Sequence, residues 1–432
     1  MDPMRLDTNH SEYYRQTLNA DPLPRKIRLG SFNIRYDPSS PVRPIRRFLD
    51  TFTSSYGGGK THKPDGPQWG ERRWELRREK VVDQVLFHEL DLIGFQEVLD
   101  HQYQDLQVLL GEEFGHVGVG RDDGQRRGEA VPIFYRKSRF SLISYTHKWL
   151  SPTPEIPGSV GWDAGQPRMV TIARFVDLQR PSATNRVIVG NTHWDDRGLE
   201  ARTQSARLIL DLIEHESKTE TSGIDPVVIL LGDLNSPAEE AGYRVLTGGK
   251  YAGQGKVGNE KSFWDSRHEI ATRTTKLAGP GALSHAYGPL NTFTGFVPSD
   301  TAQVIDFILV YDNSAFVAPH IGSPWAEMVA EETPEEKARI LDADNADEVM
   351  AAIPASDHNS PPASPDSAAT QPLFDPGTQG AMRERQVKWK VARYGVVPNF
   401  SEDVGGKRGG AEDGLIVSDH RLIVVALEEV VA

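Results

Sequence analysis

Two polar clusters in this chain stand directly against apolar runs. Leu230-Leu231 leads into Gly232-Asp233-Leu234-Asn235, and Ser418-Asp419-His420 leads into Leu422-Ile423-Val424-Val425-Ala426-Leu427. Asn33, Glu97, His193 and Asp306 occupy comparable positions beside short apolar segments. Carboxylate and carboxamide oxygens hold hard cations, while histidine and asparagine donate hydrogen bonds. Hydrolysis of a phosphate ester needs a cation on the phosphoryl oxygens, a group that orients or deprotonates water, and donors for the charge that grows at phosphorus. The six segments supply that inventory, so the expected chemistry is metal-dependent attack of water on a phosphate ester.

Side chains so far apart in sequence can meet only if a sheet delivers them to one rim. Alternation predicts a strand over 27–34 ending at Asn33, with Leu29 and Phe32 as apolar anchors. The spacing of Val81, Val82, Val85 and Leu86 predicts a helix over 74–89, followed by a strand over 91–96 that delivers Glu97. A helix near 99–110 and strands near 114–119, 131–136, 140–149, 169–177 and 186–192 follow, the last running into His193. Ala206, Ile209, Leu210 and Ile213 predict a helix over 199–216, and Val227 to Leu231 a buried strand into Asp233. Val304 to Val310 reads as another strand, and strand pattern returns near Val387 and at 421–427. Strand–helix alternation with antiparallel pairs mixed in implies sheets covered by helices.

Length alone would suggest two or three domains for 432 residues. A site drawn from Asn33 to His420 instead predicts one domain over 26–432, preceded by an extension over 1–25. Residues 37–72, rich in proline and glycine, and 326–385, acidic and then rich in Pro, Ser, Ala and Asp, read as insertions. The first of them follows Asn33 and is expected to overhang the site.

The net charge of −13 disfavours a partner as polyanionic as a long duplex, despite a basic cluster at Arg43, Arg46, Arg47, Lys60, His62 and Lys63. Absence of cysteine excludes disulfides, thiolate metal sites and cysteine nucleophiles. The first 25 residues contain no apolar signal region, and no run of 18 apolar residues occurs, which predicts an intracellular, cytoplasmic protein without a membrane span. No phosphate-binding glycine loop, HExxH helix, dinucleotide fingerprint or GxSxG elbow is present.

Two decoys sharpen the assignment. Ser356-Asp357-His358 repeats the tripeptide of the C-terminal cluster but lies in a proline-rich stretch with no strand after it. Asp342, Asp344, Asn345 and Asp347 lack the glycine and distal glutamate of a calcium loop. Neither is given a role. Asp195, Asp196 and Arg197 read either as charges at the start of a helix or as substrate contacts, with Asp195 a secondary candidate.

The ordered set Ser31-Phe32-Asn33, Gln96-Glu97, Thr192-His193, Gly232-Asp233-Leu234-Asn235, Ile305-Asp306-Phe307 and Ser418-Asp419-His420 resembles the endonuclease/exonuclease/phosphatase superfamily. The resemblance covers roughly 27–427 and implies a four-layer α/β sandwich, two packed mixed sheets flanked by helices. It implies Glu97 as the main Mg²⁺ ligand, Mn²⁺ being an alternative ion, with Asn33 and Asp419 in or near the coordination shell. Asp233 would orient or deprotonate water, and Asn235 and His193 would donate to the phosphoryl group. His420 would contact a phosphate oxygen, oriented by Asp306.

Arg35 stands where some relatives carry an aspartate, so that position offers no ligand for a second metal. Gly128-Glu129-Ala130-Val131-Pro132-Ile133-Phe134-Tyr135, Trp149-Leu150-Ser151 and Gly161 to Arg168 resemble the nocturnin/deadenylase-like branch and its microbial relatives. There Glu129 and Arg168 would line the substrate site. The expected partner is a phosphorylated small molecule or a single-stranded nucleic acid end: a nucleotide, an RNA 3′ end, or a sugar or inositol phosphate. A 3′–5′ RNA exonuclease and a catalytically inactive scaffold are the alternatives.

Overall fold

A computed structural model describes residues 24–37, 71–179, 186–218, 224–251, 262–269, 287–296, 300–316, 388–401 and 415–430. The 326–385 insertion, the decoy at 356–358, the acidic run at 342–347 and nearly all of 37–72 lie outside these residues. All described residues belong to one unit formed by 1–319 and 386–432.

The elements run β1 (Lys26–Asn33), α1 (Trp74–Phe87), β2 (Leu92–Gln96), α2 (Asp100–Leu109), β3 (Phe114–Val117), β4 (Ile133–Arg136), β5 (Phe140–Trp149), β6 (Met169–Asp177) and β7 (Arg186–His193). They continue with α3 (Leu199–Lys218), β8 (Val227–Asp233), α4 (Ala241–Thr247), β9 (Phe263–Asp265), β10 (Asp306–Tyr311) and β11 (Lys388–Val396). A two-residue pair, β12 (Phe400–Ser401) and β13 (Leu415–Ile416), precedes β14 (Ile423–Val430).

Two six-stranded mixed sheets form, ordered β11-β14-β1-β2-β4-β3 and β5-β6-β7-β8-β10-β9. Their facing sides share one apolar layer in which Ile27, Leu29 and Leu92 meet Val187, Val189, Ile229, Leu231 and Ile308. On the outer face of the first sheet, Phe32, Ile93 and Phe95 cluster with Val81, Val85 and Leu106 of α1 and α2. On the outer face of the second, Ile188, Val228 and Leu230 cluster with Ile209 and Ile213 of α3 and Leu246 of α4. The result is the expected helix, sheet, sheet, helix sandwich.

Side chains alternate along a strand, and this decides where the polar groups go. In β1, Ile27 and Leu29 face the inter-sheet layer, so Asn33 at the end of the strand faces it as well. The same parity in β7 carries Val187 and Val189 to His193, in β8 Ile229 and Leu231 to Asp233, and in β10 Ile308 back to Asp306. Parallel pairing of β1 with β2 and of β7 with β8 brings their C-terminal ends together, and antiparallel β10 sets Asp306 directly opposite Asp233. Asp306 begins its strand and His420 precedes β14, because β10 and β14 run antiparallel to β8 and β1.

Beneath the rim the sheets are joined by a buried amide. Asn191 accepts a hydrogen bond from Gln96 Nε2 at 2.7 Å and donates to the carbonyls of Phe95 and Pro132 at 2.8 and 2.9 Å. Gly94 permits this approach, since a Cβ there would lie 2.5 Å from Asn191 Oδ1.

Candidate active site

The rim residues surround an open cavity of about 490 Å³ lined by Glu97, Glu129, Arg168, His193, Asp233, Asn235, Asp419 and His420. Asn33 and Asp306 sit behind this wall, fully buried, and hold the residues that form it. Asn33 Nδ2 donates to Glu97 Oε1 and to Asp233 Oδ2, both at 2.9 Å, while its Oδ1 accepts the Arg35 amide at 3.0 Å. The carboxamide therefore turns its nitrogen, not its oxygen, toward the carboxylates.

Glu97 lies one residue past β2 at φ +60°, with Arg35 at +59° and Asn235 at +44°. Left-handed backbone at non-glycine residues costs about 1–2 kcal/mol each and recurs at functional sites. Here it turns Glu97 toward the Tyr36 amide, which donates to Oε2 at 3.0 Å. Arg35 Nη1 stands 3.8 Å from Glu97 Oε2 and 3.9 Å from Asp419 Oδ2, a cation shared between two carboxylates.

His420 Nδ1 lies 2.9 and 3.1 Å from the two oxygens of Asp306. Burial alone would lower the pKa of this imidazole, but Asp306 and Asp233 together outweigh it and lift the pKa well above the ordinary histidine value. His420 is accordingly a charged donor. Burial and the neighbouring Asp306 carboxylate push Asp233 up to about 7, against the pull of His420. Such a carboxylate can accept a proton near neutrality.

His193 behaves in the opposite way. Burial, then Arg168 and Arg121, hold its pKa well below the ordinary value, so the ring is neutral. With Asn235 Nδ2 donating to Nε2 at 3.1 Å, the proton sits on Nδ1, 3.8 Å from Glu129 Oε2.

Asp233, Asp306 and His420 offer ligand atoms within 4.8 Å of one another and so have the spacing of a metal site. The ion pair argues otherwise, because an imidazolium whose Nδ1 is committed to Asp306 is a poor metal ligand. Glu97 and Asp419, carboxylates that share Arg35 and face the cavity, fit a hard divalent cation better. Burial raises the pKa of Asp419, with Glu97 adding to it, and a divalent cation would relieve that crowding.

Asp195 is not on the cavity wall. Its Oδ1 accepts the amides of Arg197 and Gly198 at 3.0 and 2.8 Å, and its Oδ2 accepts the Gly165 amide at 3.0 Å and faces Arg168 Nε at 3.4 Å. Asp163 caps α3, accepting the Ala201 amide at 2.6 Å. Together they moor the Gly161 to Arg168 stretch on that helix. Gln166, in the Gly161 to Arg168 stretch, lines the cavity, and so do Arg121, Arg202 and Glu240, which the sequence did not single out. Arg121 sits in a loop without periodicity, held by a 2.6 Å bond from Trp149 Nε1 to its carbonyl.

A profile of the Endonuclease/Exonuclease/phosphatase family matches residues 30–358. The chain is 25% identical over 268 residues to the CCR4-Not complex 3′-5′-exoribonuclease subunit Ccr4 of Saccharomyces cerevisiae, covering 56% of this chain and 31% of that protein. It is 25% identical over 335 residues to 2′,5′-phosphodiesterase 12 of Homo sapiens, covering 74% of this chain and 50% of that one. It thus spans at most half the length of these two relatives. The Ccr4 likeness agrees with the branch expected from Gly128–Tyr135 and Trp149–Ser151. A solved endonuclease/exonuclease/phosphatase family protein from Bacteroides thetaiotaomicron shares the fold, with a TM-score of 0.57 and 22% identity over 94% of this chain and 99% of that one.

Proposed function

The chain belongs to the Endonuclease/Exonuclease/phosphatase family, and on that premise we propose that it is a Mg²⁺-dependent phosphoesterase acting on a small or single-stranded phosphate ester. The observation that carries this reading is the Asp306–His420 ion pair set beside a carboxylate of near-neutral pKa, Asp233. Glu97 and Asp419 would hold the ion, with Asn33 fixing Glu97 relative to Asp233. When bound there, a divalent cation withdraws charge from the phosphoryl oxygens.

The remaining work falls to the chain itself. Asp233 receives the proton of the attacking water as its oxygen bonds to phosphorus and the ester oxygen departs. His420, charged and locked by Asp306, donates to a phosphoryl oxygen, and such preorganised donors act most strongly where charge develops. Asn235 donates beside it. His193, neutral, keeps Asn235 in place through Nε2, while Glu129 and Arg168 contact the rest of the substrate. Asp195 positions Arg168.

A panel of phosphate monoesters and diesters, assayed with Mg²⁺, Mn²⁺ or chelator, tests the proposal. Metal-dependent turnover that falls by about 10³-fold in Asp233→Asn is expected. No turnover of any ester would overturn it and favour a scaffold, and equal rates in chelator would overturn the metal dependence. The Ccr4 likeness favours the same chemistry on an RNA 3′ end as a second reading. Binding of such a polyanion would weaken steeply with salt, whereas a small ester would be held almost independently of it.

A further inference from the structure

Behind the cavity, α1 sends one arginine inward to the segments that carry its wall. Arg77 is fully buried, yet its guanidinium makes four hydrogen bonds: Nε to the carbonyl of Arg72 at 2.9 Å, Nη1 to those of Ile34 and Val417 at 2.6 and 3.1 Å, and Nη2 to that of Arg35 at 3.2 Å. The Trp74 ring, one turn earlier on the helix, lies 5.5 Å from the guanidinium carbon. All four acceptors are main-chain oxygens, and among the described residues no carboxylate pairs with this cation. A cation taken out of water without a counter-charge is costly, and packing alone would be served better by an apolar side chain.

What Arg77 binds is the place where a ladder ends. β1 and β14 pair antiparallel only as far as Ser31 opposite Ile423, after which the chains part around Asn33 on one side and Ser418 to His420 on the other. Carbonyls released by that parting need donors. The Ser418 hydroxyl donates to the Asn33 carbonyl at 2.7 Å, and Arg77 supplies those of Ile34 and Val417. A planar fork with donors on several edges spans the gap in one fixed geometry. Its Nη2 falls on Arg35, the left-handed residue whose side chain stands between Glu97 and Asp419. Gln102 of α2 holds the same carbonyl through Nε2 at 3.0 Å, while its Oε1 accepts the amide of Leu99, two residues past Glu97, at 3.1 Å. The two helices thus pin from behind the segments that carry Glu97, Arg35 and Asp419.

We propose that Arg77 is a positioning residue for the divalent-ion site: by spanning the parted chains it fixes the separation of the Arg35 and Asp419 segments, and so the distance across which Glu97 and Asp419 share an ion. It touches neither ion nor substrate. The proposal rests on the reading of Glu97 and Asp419 as the ligands.

The test is calorimetric titration of the full chain with Mg²⁺. Arg77→Lys keeps the charge but replaces the fork by a single nitrogen, and should weaken Mg²⁺ binding by about tenfold or more. Val85→Ala loosens the same helix without touching these carbonyls and should bind Mg²⁺ as the parent does. Should Arg77→Lys fail to fold, Gln102→Met, which breaks the second hold on Arg35, is expected to weaken Mg²⁺ binding by about threefold or more. Parental affinity there would overturn the proposal, as would parental affinity in a folded Arg77→Lys or an equal loss in Val85→Ala. A parent chain that takes up no Mg²⁺ would strike the ligand reading itself, and the proposal with it.

Discussion

Asn33 Nδ2 lies 2.9 Å from Asp233 Oδ2, a hydrogen bond between residues 200 positions apart that joins the end of a strand in one sheet to the end of a strand in the other. The site is thus built on the seam of the sandwich. Its precision depends on how closely the sheets approach.

Gly94 controls that approach. Gly94→Ala would drive a methyl group into the Asn191 amide, which three hydrogen bonds hold in place. Overpacking of this kind costs about 1–3 kcal/mol. Urea denaturation should show a loss of that size, and a variant as stable as the parent would mean that the seam is looser than the distances imply.

Replacing Asp306 by Asn removes the carboxylate that keeps His420 charged. The imidazole pKa should fall toward the ordinary histidine value in an NMR titration, and turnover should drop by about 10²-fold or more. An unmoved titration would place the source of the charge elsewhere.

Much of this arrangement was legible in the sequence. The alternating strand from Lys26 to Asn33 and the unbroken apolar run from Val227 to Leu231, with the polar residues at their ends, follow from strand patterning and turn chemistry. Strand direction was not legible: nothing local says that β10 runs antiparallel to β8, the pairing that sets Asp306 opposite Asp233. Helix α4 was not expected either, for Ala-Gly-Tyr-Arg-Val-Leu-Thr is short and weak in helix formers. Arg121 was missed because nothing local marks it, and only the tertiary contacts of Trp149 and Glu129 bring it to the cavity.

Arg35 supplies a cation to two carboxylates, so its removal should expose their repulsion. In chelator, Arg35→Met should melt about 2–4 °C below the parent, and added Mg²⁺ should recover a larger shift than in the parent. Identical melting in chelator would argue that Glu97 and Asp419 do not depend on it.

Glu269, remote from the site, makes stability depend on pH. Burial, aided by Asp265 and only partly opposed by the 2.7 Å bond from the Tyr251 hydroxyl, pushes its pKa up to about 7 from 4.5. The unfolded chain releases this proton near 4.5 while the folded protein keeps it to about 7. The contribution to stability is therefore intact below 4.5, is lost as pH rises to 7, and is level above that, a swing on the order of 3 kcal/mol. Glu269→Gln should flatten this part of the profile in chemical denaturation across pH. An unchanged slope would assign it to another group.

The most direct test of a divalent-ion centre at the seam is the Glu97→Gln variant, titrated with Mg²⁺ by calorimetry and assayed on a generic phosphodiester. Loss of most of the Mg²⁺ affinity together with a fall in turnover of about 10²-fold or more is expected. Unchanged affinity and unchanged turnover would contradict it.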